Sequence, residues 1–204
     1  MKIIALWNNY SERDIAPAQA EPLAVCWLTD SCLLRERRPF YVPGFDTDFR
    51  LFPSLAIRID RLGKGIEPRF VKRYWNEVSL WLNARACDLS AELAAKGLPQ
   101  ANAVSFDCSL VASPFWEMTP EQCMEARFTV SRNGMPEQVW DAGNLLKQPD
   151  EAISEVSRHN TLKTGDIFLL GFPEQGVAVK PGDSIQVRLD APGEPKIITE
   201  FKIK

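Results

Sequence analysis

The sequence predicts an α+β fold that is mostly β, with a few short helices, in one domain over residues 1–204. Three observations carry this. The chain has 204 residues, 45% apolar and 25% charged, which is enough ordinary globular sequence for one sizeable core. Its second half alternates short apolar runs with turn residues, and Asn133-Gly134 is the strongest hairpin signal in the chain. Helical patterns with start and stop signals are few and short.

In chain order, Lys2 to Trp7 reads as a short buried strand that ends in a turn at Asn8, Asn9 and Tyr10. Residues 11 to 22, with Pro17 and Pro22, read as loop with room for one helical turn, and Leu23 to Leu28 is another apolar run. Arg35 to Arg38 reads as a solvated face. Pro39, Pro43, Gly44 and Pro53 mark residues 39 to 53 as irregular and exposed. Ser54 to Asp60 alternates as a half-buried strand does, and Gly63-Lys64-Gly65 turns the chain. Val71 to Leu82 fits helix running into strand; periodicity alone does not separate the two. Cys87 to Lys96 is the clearest helix, capped by Asp88 or Ser90 and stopped by Gly97 and Pro99. Arg127 to Ser131 is a strand, and Pro149 opens a short amphipathic helix to Ser157. Two Gly-Asp turns, Gly165-Asp166 and Gly182-Asp183, each lead into a strand of one sheet system. In both, glycine supplies the positive φ and aspartate accepts from nearby amides.

Composition narrows the function. The net charge of −3 gives no pull toward nucleic acid or an anionic membrane. No stretch approaches the roughly 20 apolar residues of a membrane span. The start, MKIIALWNNY, is no signal peptide, so the expected location is the cytoplasm. Five cysteines with no CxxC spacing read as buried free thiols.

Conventional catalytic clusters are missing. His159 is the only histidine, in a polar stretch after a helix, and reads as a surface residue. Asp46 and Asp48 lack a third acidic partner for a hard cation and read as exposed loop. Glu117, Glu121 and Glu125 recur every four residues and read as one solvated helical face. The glycines make no phosphate loop, but Gly171-Phe172-Pro173 pins a sharp turn that can present amides to an anion.

The order of the C-terminal motifs resembles the fumarylacetoacetate hydrolase family. The motifs are Asn133-Gly134 with Gln138, a helix ending at Ser157, Thr161-Leu162, Gly165-Asp166, Gly171-Phe172-Pro173, Gly176 and Gly182-Asp183. In the N-terminal half, Asn9-Tyr10 sits at the family's N-Y element. Ala86-Cys87-Asp88, Gly97-Leu98-Pro99 and Val104-Ser105-Phe106-Asp107 follow its central spacing. The resemblance implies a mixed β-sandwich or roll with short peripheral helices, and a homodimer. It also implies chemistry on 2-oxo acid or β-diketo compounds: hydrolysis, isomerisation or decarboxylation.

The departures from that family are concentrated in one place. Family enzymes hold Mg²⁺ or Ca²⁺ with the two glutamates of E-x-E and a central aspartate; here those positions are Phe52, Ser54 and Asn83. A lysine beside the metal is Val104, a histidine after N-Y is Arg13, and the threonine of G-T-P is Phe172. A hard dication needs anionic oxygens, which a phenyl ring, a hydroxyl and an amide do not supply. The first expectation is therefore a protein with no metal cofactor. It keeps a pocket of Asn9, Tyr10, Arg13, Asn83, Asp107, Gln138 and Phe172, with Gly171 at its turn, and binds a small carboxylate ligand or a protein partner. Arg13 is the cation expected to hold the carboxylate. The alternative is an active enzyme with a rearranged site that draws Mg²⁺ or Ca²⁺ ligands from Asp46, Asp48 or Asp107. A purely structural subunit is the third reading.

Overall fold

The computed structural model describes residues 1–13, 22–34 and 38–204. Its strands are β1 (Ile3–Leu6), β2 (Val25–Leu28), β3 (Leu33–Leu34), β4 (Phe49–Ile59), β5 (Trp75–Ala86), β6 (Leu110–Ala112), β7 (Trp116–Glu117), β8 (Arg127–Arg132), β9 (Met135–Asp141), β10 (Ile167–Leu169), β11 (Val177–Ala178), β12 (Ser184–Ala191) and β13 (Lys196–Lys202). Five short helices lie between them: α1 (Pro68–Val71), α2 (Cys87–Ala95), α3 (Ala101–Val104), α4 (Pro120–Met124) and α5 (Pro149–His159). The mostly-β α+β expectation stands.

Two sheets are formed. The larger has nine strands in the order β2-β1-β10-β4-β5-β6-β3, with β11 on β4 and β7 on β5. It is mixed, because β1 runs parallel to β10 and β3 parallel to β6. The smaller is antiparallel, β13-β12-β8-β9. Its β8–β9 turn places Asn133 at φ 53 and Gly134 at φ 80, the two positive values a two-residue hairpin loop needs.

The β4–β5 pair is the spine. It runs from Phe49↔Ala86 to Ile59↔Trp75 and sets Phe52 opposite Asn83 and Ser54 opposite Trp81. The alternation read at residues 54–60 suggested one solvated face, but the strand begins at Phe49 and is buried on both faces. One face joins a core with Leu51, Leu55, Ile57, Phe128, Trp140 and Ile153; the other, with Phe52, joins Trp81, Val104 and Phe172. Residues 49–53, expected as exposed loop, are thus central strand. Pro53 is tolerated because it falls between the stretches of β4 paired by β11, at Leu51, and by β10, at Ala56. No ladder bond needs its missing N–H there.

Other local readings change in smaller ways. The α2 start has no cap from its own side chains; Asp46 reaches across to accept from the Leu89 amide at 2.8 Å. Glu117 lies on β7 and α4 covers only residues 120–124, so the three glutamates share no helical face. The two Gly-Asp turns lead into different sheets, β10 in the larger and β12 in the smaller. Cys32 and Cys123 are buried, while Cys108 is exposed. Residues 14–21 of the expected loop and 35–37 of the expected charged face lie outside the described residues. Among the described residues, no helix is long and apolar enough to cross a membrane.

Candidate functional site

The positions singled out in the sequence converge on one face of the β4–β5 pair. Phe52 and Asn83 are cross-strand partners, so their side chains emerge side by side. Ser54, one pleat further along, is fully buried and its Oγ accepts from the Gly171 amide at 3.2 Å. Asn83 is also fully buried; its Nδ2 donates to the Val104 carbonyl of α3 at 2.9 Å. Phe172 arrives from the turn after β10 and is 3% exposed. Gly176 lies against Phe52, where a Cβ would come within 2.8 Å of the ring.

At the centre of this group is a residue that sequence reasoning passed over. Arg85 lies two residues after Asn83 on β5 and therefore points to the same face. Its Nε donates to Asn83 Oδ1 at 3.0 Å. Its guanidinium carbon lies 4.2 Å from the centre of the Phe52 ring, 4.4 Å from that of Phe172 and 5.1 Å from that of Trp7. Three rings thus surround the cation, a favourable electrostatic setting for it. Nη2 is shut off from solvent and has no hydrogen-bond partner among the described residues. An unmade hydrogen bond at a buried charged donor costs about 1–3 kcal/mol or more. Burial pushes the Arg85 pKa down to about 10, against small opposing contributions from Cys87 and Cys26. The group still stays a cation at neutral pH. The thiols of Cys26 and Cys87 are themselves pushed up by burial, so neither supplies a negative charge. The signal available in the sequence was the strand period, which puts position 85 on the face of position 83.

The other expected pocket residues are used differently. Asn9 is fully buried and held by three hydrogen bonds, to the Lys147 and Leu170 carbonyls and from the Lys147 amide. The Tyr10 hydroxyl accepts from the Asp141 amide and from Asn144, and its ring stacks on Trp140 at 5.6 Å. Both residues back onto Gly171, where a Cβ would meet Tyr10 at 2.9 Å. Gln138 donates to Glu12 at 2.9 Å. Arg13, the cation expected to hold a carboxylate, has a side chain 74% exposed and is paired with Glu174 at 2.9 Å. Asp107 is exposed, and so is His159.

A dication does not fit these residues. Phe52, Ser54, Asn83 and Val104 offer no carboxylate, and a guanidinium already lies among them. Nor do the aspartates considered as substitutes assemble a ligand set: Asp46 accepts the Asp48 and Leu89 amides, and Asp48 is paired with Arg50 at 2.8 Å. Among the described residues, no three His, Cys, Asp or Glu side chains are grouped to hold a metal.

Fold and site together define a mixed-sheet α+β protein whose sheet face, beside a Gly-x-Pro turn, carries a buried arginine among three aromatic rings. The family model described as fumarylacetoacetate (FAA) hydrolase C-terminal matches residues 2–199, and the chain belongs to that family. Curated relatives include the mitochondrial oxaloacetate tautomerase FAHD1 of Bos taurus, 26% identical over 188 residues, 90% of this chain and 85% of the relative. The mitochondrial oxaloacetate decarboxylase of Dictyostelium discoideum is 25% identical over 189 residues, covering 91% of this chain and 87% of its own. Among solved structures, a fumarylpyruvate hydrolase from Pseudomonas aeruginosa, in complex with Mn²⁺ and pyruvate, superposes with a TM-score of 0.84 at 19% identity, covering 100% of this chain and 89% of its own. A family protein from Yersinia pestis CO92 gives 0.85 at 22% identity, covering 100% and 92%.

Proposed function

We propose that this chain acts on small 2-oxo acids of the oxaloacetate class, by keto–enol interconversion or decarboxylation, at a rearranged family site. The observation that carries the reading is the alignment along nine-tenths of the chain with relatives named for oxaloacetate tautomerisation and decarboxylation. Keto–enol interconversion moves one proton between C3 and the keto oxygen. Loss of carbon dioxide leaves an enolate at the same atoms. Both routes develop negative charge on that oxygen, and a fixed cation beside it lowers the barrier.

A second reading, ligand binding without turnover, is favoured by one observation: Phe52, Ser54 and Asn83, which the family resemblance aligns with metal-binding carboxylates, gather on one sheet face with no acid among them. The two are separated by following the ultraviolet absorbance of oxaloacetate enol and the release of carbon dioxide, in buffer containing EDTA, with and without protein. The enzymatic reading expects rates above the protein-free control. Control rates in a protein that still binds the keto acid would replace it with the binding reading.

A further inference from the structure

We propose that Arg85 is a built-in replacement for the family's dication, and that its buried Nη2 receives the carboxylate of a small monocarboxylate or 2-oxo acid without any metal. The inference deepens the 2-oxo acid reading and rests on it only for the choice of ligand.

Four features of the site support this. The guanidinium emerges at the position pair Phe52 and Asn83, held by a single hydrogen bond from Nε to Asn83 Oδ1 at 3.0 Å. That anchor is an amide, itself fixed on the Val104 carbonyl, so it orients the cation without cancelling its charge. The three rings of Phe52, Phe172 and Trp7 pack around the guanidinium, a favourable electrostatic setting for a cation. One donor, Nη2, is left buried and unpartnered among the described residues, and Arg85 makes no ion pair there either. A buried cation in an apolar setting calls for an anion with an acceptor oxygen, and a carboxylate matches the geometry of a guanidinium edge. The titratable groups facing it are Cys26 and Cys87, both thiols. Trp7, Arg85, Cys26 and Cys87 are each half-buried as whole residues, while Nη2 itself is covered.

The test is equilibrium binding of pyruvate and of oxalate to EDTA-treated protein, by calorimetry and by tryptophan fluorescence, for which Trp7 is a local reporter. The expected result is saturable binding in EDTA that added Mg²⁺ does not tighten. Arg85→Met is expected to weaken it roughly ten- to a hundredfold, the usual range for a lost charge-assisted hydrogen bond. Arg85→Lys is expected to recover part of the loss. Asn83→Asp keeps Arg85 in place but gives it an internal counter-ion, and is expected to weaken binding at least about tenfold. That variant keeps the test decisive should Arg85→Met fail to fold. No binding to the parent protein in EDTA, binding that requires Mg²⁺, or full affinity in a folded Arg85→Met or Asn83→Asp variant would each overturn the proposal. Arg85-dependent binding without turnover would remove only the enzymatic reading. Turnover with binding indifferent to Arg85 would remove only this one.

Discussion

Gly171 shows how tightly single residues are specified here. Its φ of 149 is one that side chains rarely adopt, and a Cβ would lie 2.9 Å from Tyr10 Cβ and 3.0 Å from the Asn9 backbone. The neighbour cannot swing aside, because Asn9 is pinned by three hydrogen bonds and Tyr10 by two. Gly171→Ala is therefore expected to destabilise by about 3 kcal/mol, from backbone strain together with overpacking. Urea unfolding with an unchanged m-value measures it; a loss under about 1 kcal/mol would mean that the turn relaxes freely. The same residue was legible in the sequence, as the glycine that opens the Gly-Phe-Pro turn. Its partner Ser54 was legible only as a missing glutamate, since nothing local says that a hydroxyl in β4 will accept the Gly171 amide.

At the scale of elements, the two Gly-Asp turns are built alike. Asp166 accepts from the Lys163 amide at 2.8 Å, and Asp183 from the Lys180 amide at 3.0 Å, each three residues back. Burial alone would push both carboxyls up. Hydrogen bonds outweigh it: from Lys2 and Lys163 to Asp166, and from Asn133 and Lys180 to Asp183, with Arg132 also helping the latter. Both are held below the ordinary value of 3.8. A carboxyl depressed by folding stabilises in full above its unfolded pKa and loses that contribution as pH falls through the folded one. The parent protein should therefore lose stability between about pH 4 and the still lower folded pKa values. Asp166→Asn with Asp183→Asn should be less stable at neutral pH but flatter across that acid range. Urea midpoints at several pH values test this, and parallel curves for parent and variant would refute it. Here the sequence was a good guide, because an aspartate bonding an amide three residues away is a local event. It was a poor guide to the cap of α2, which comes from Asp46 some forty residues earlier.

For the whole molecule, the two sheets meet where Tyr10, in the loop after β1, stacks on Trp140 of β9. Tyr10 also accepts the Asp141 amide at 3.0 Å, and Trp140 Nε1 donates to the Gly171 carbonyl at 3.2 Å. The candidate site and the junction between sheets thus share the Gly171 turn. Tyr10→Phe keeps the stack but strips the acceptor from a backbone amide, and is expected to destabilise by about 1–3 kcal/mol. Far-ultraviolet circular dichroism and tryptophan fluorescence should report one coincident, shifted transition. An unshifted midpoint would show that the junction is not held this way.

By itself the sequence determined the mostly-β class, the turns at Asn133-Gly134, Gly165-Asp166 and Gly182-Asp183, and the absence of carboxylates at positions 52, 54 and 83. These depend on residue type and short spacing, which a linear reading sees. Only the tertiary structure decided which side chains gather around those positions. It overturned the half-exposed β4, because a strand is solvated or buried according to what packs on it, and both faces of the larger sheet are covered. It sent Arg13 to a surface ion pair and Arg85 into the aromatic cage. That choice depends on the register that sets Phe52 opposite Asn83 and on a turn more than eighty residues downstream that delivers Phe172. No local pattern encodes such convergence, because it arises when distant segments close around one another.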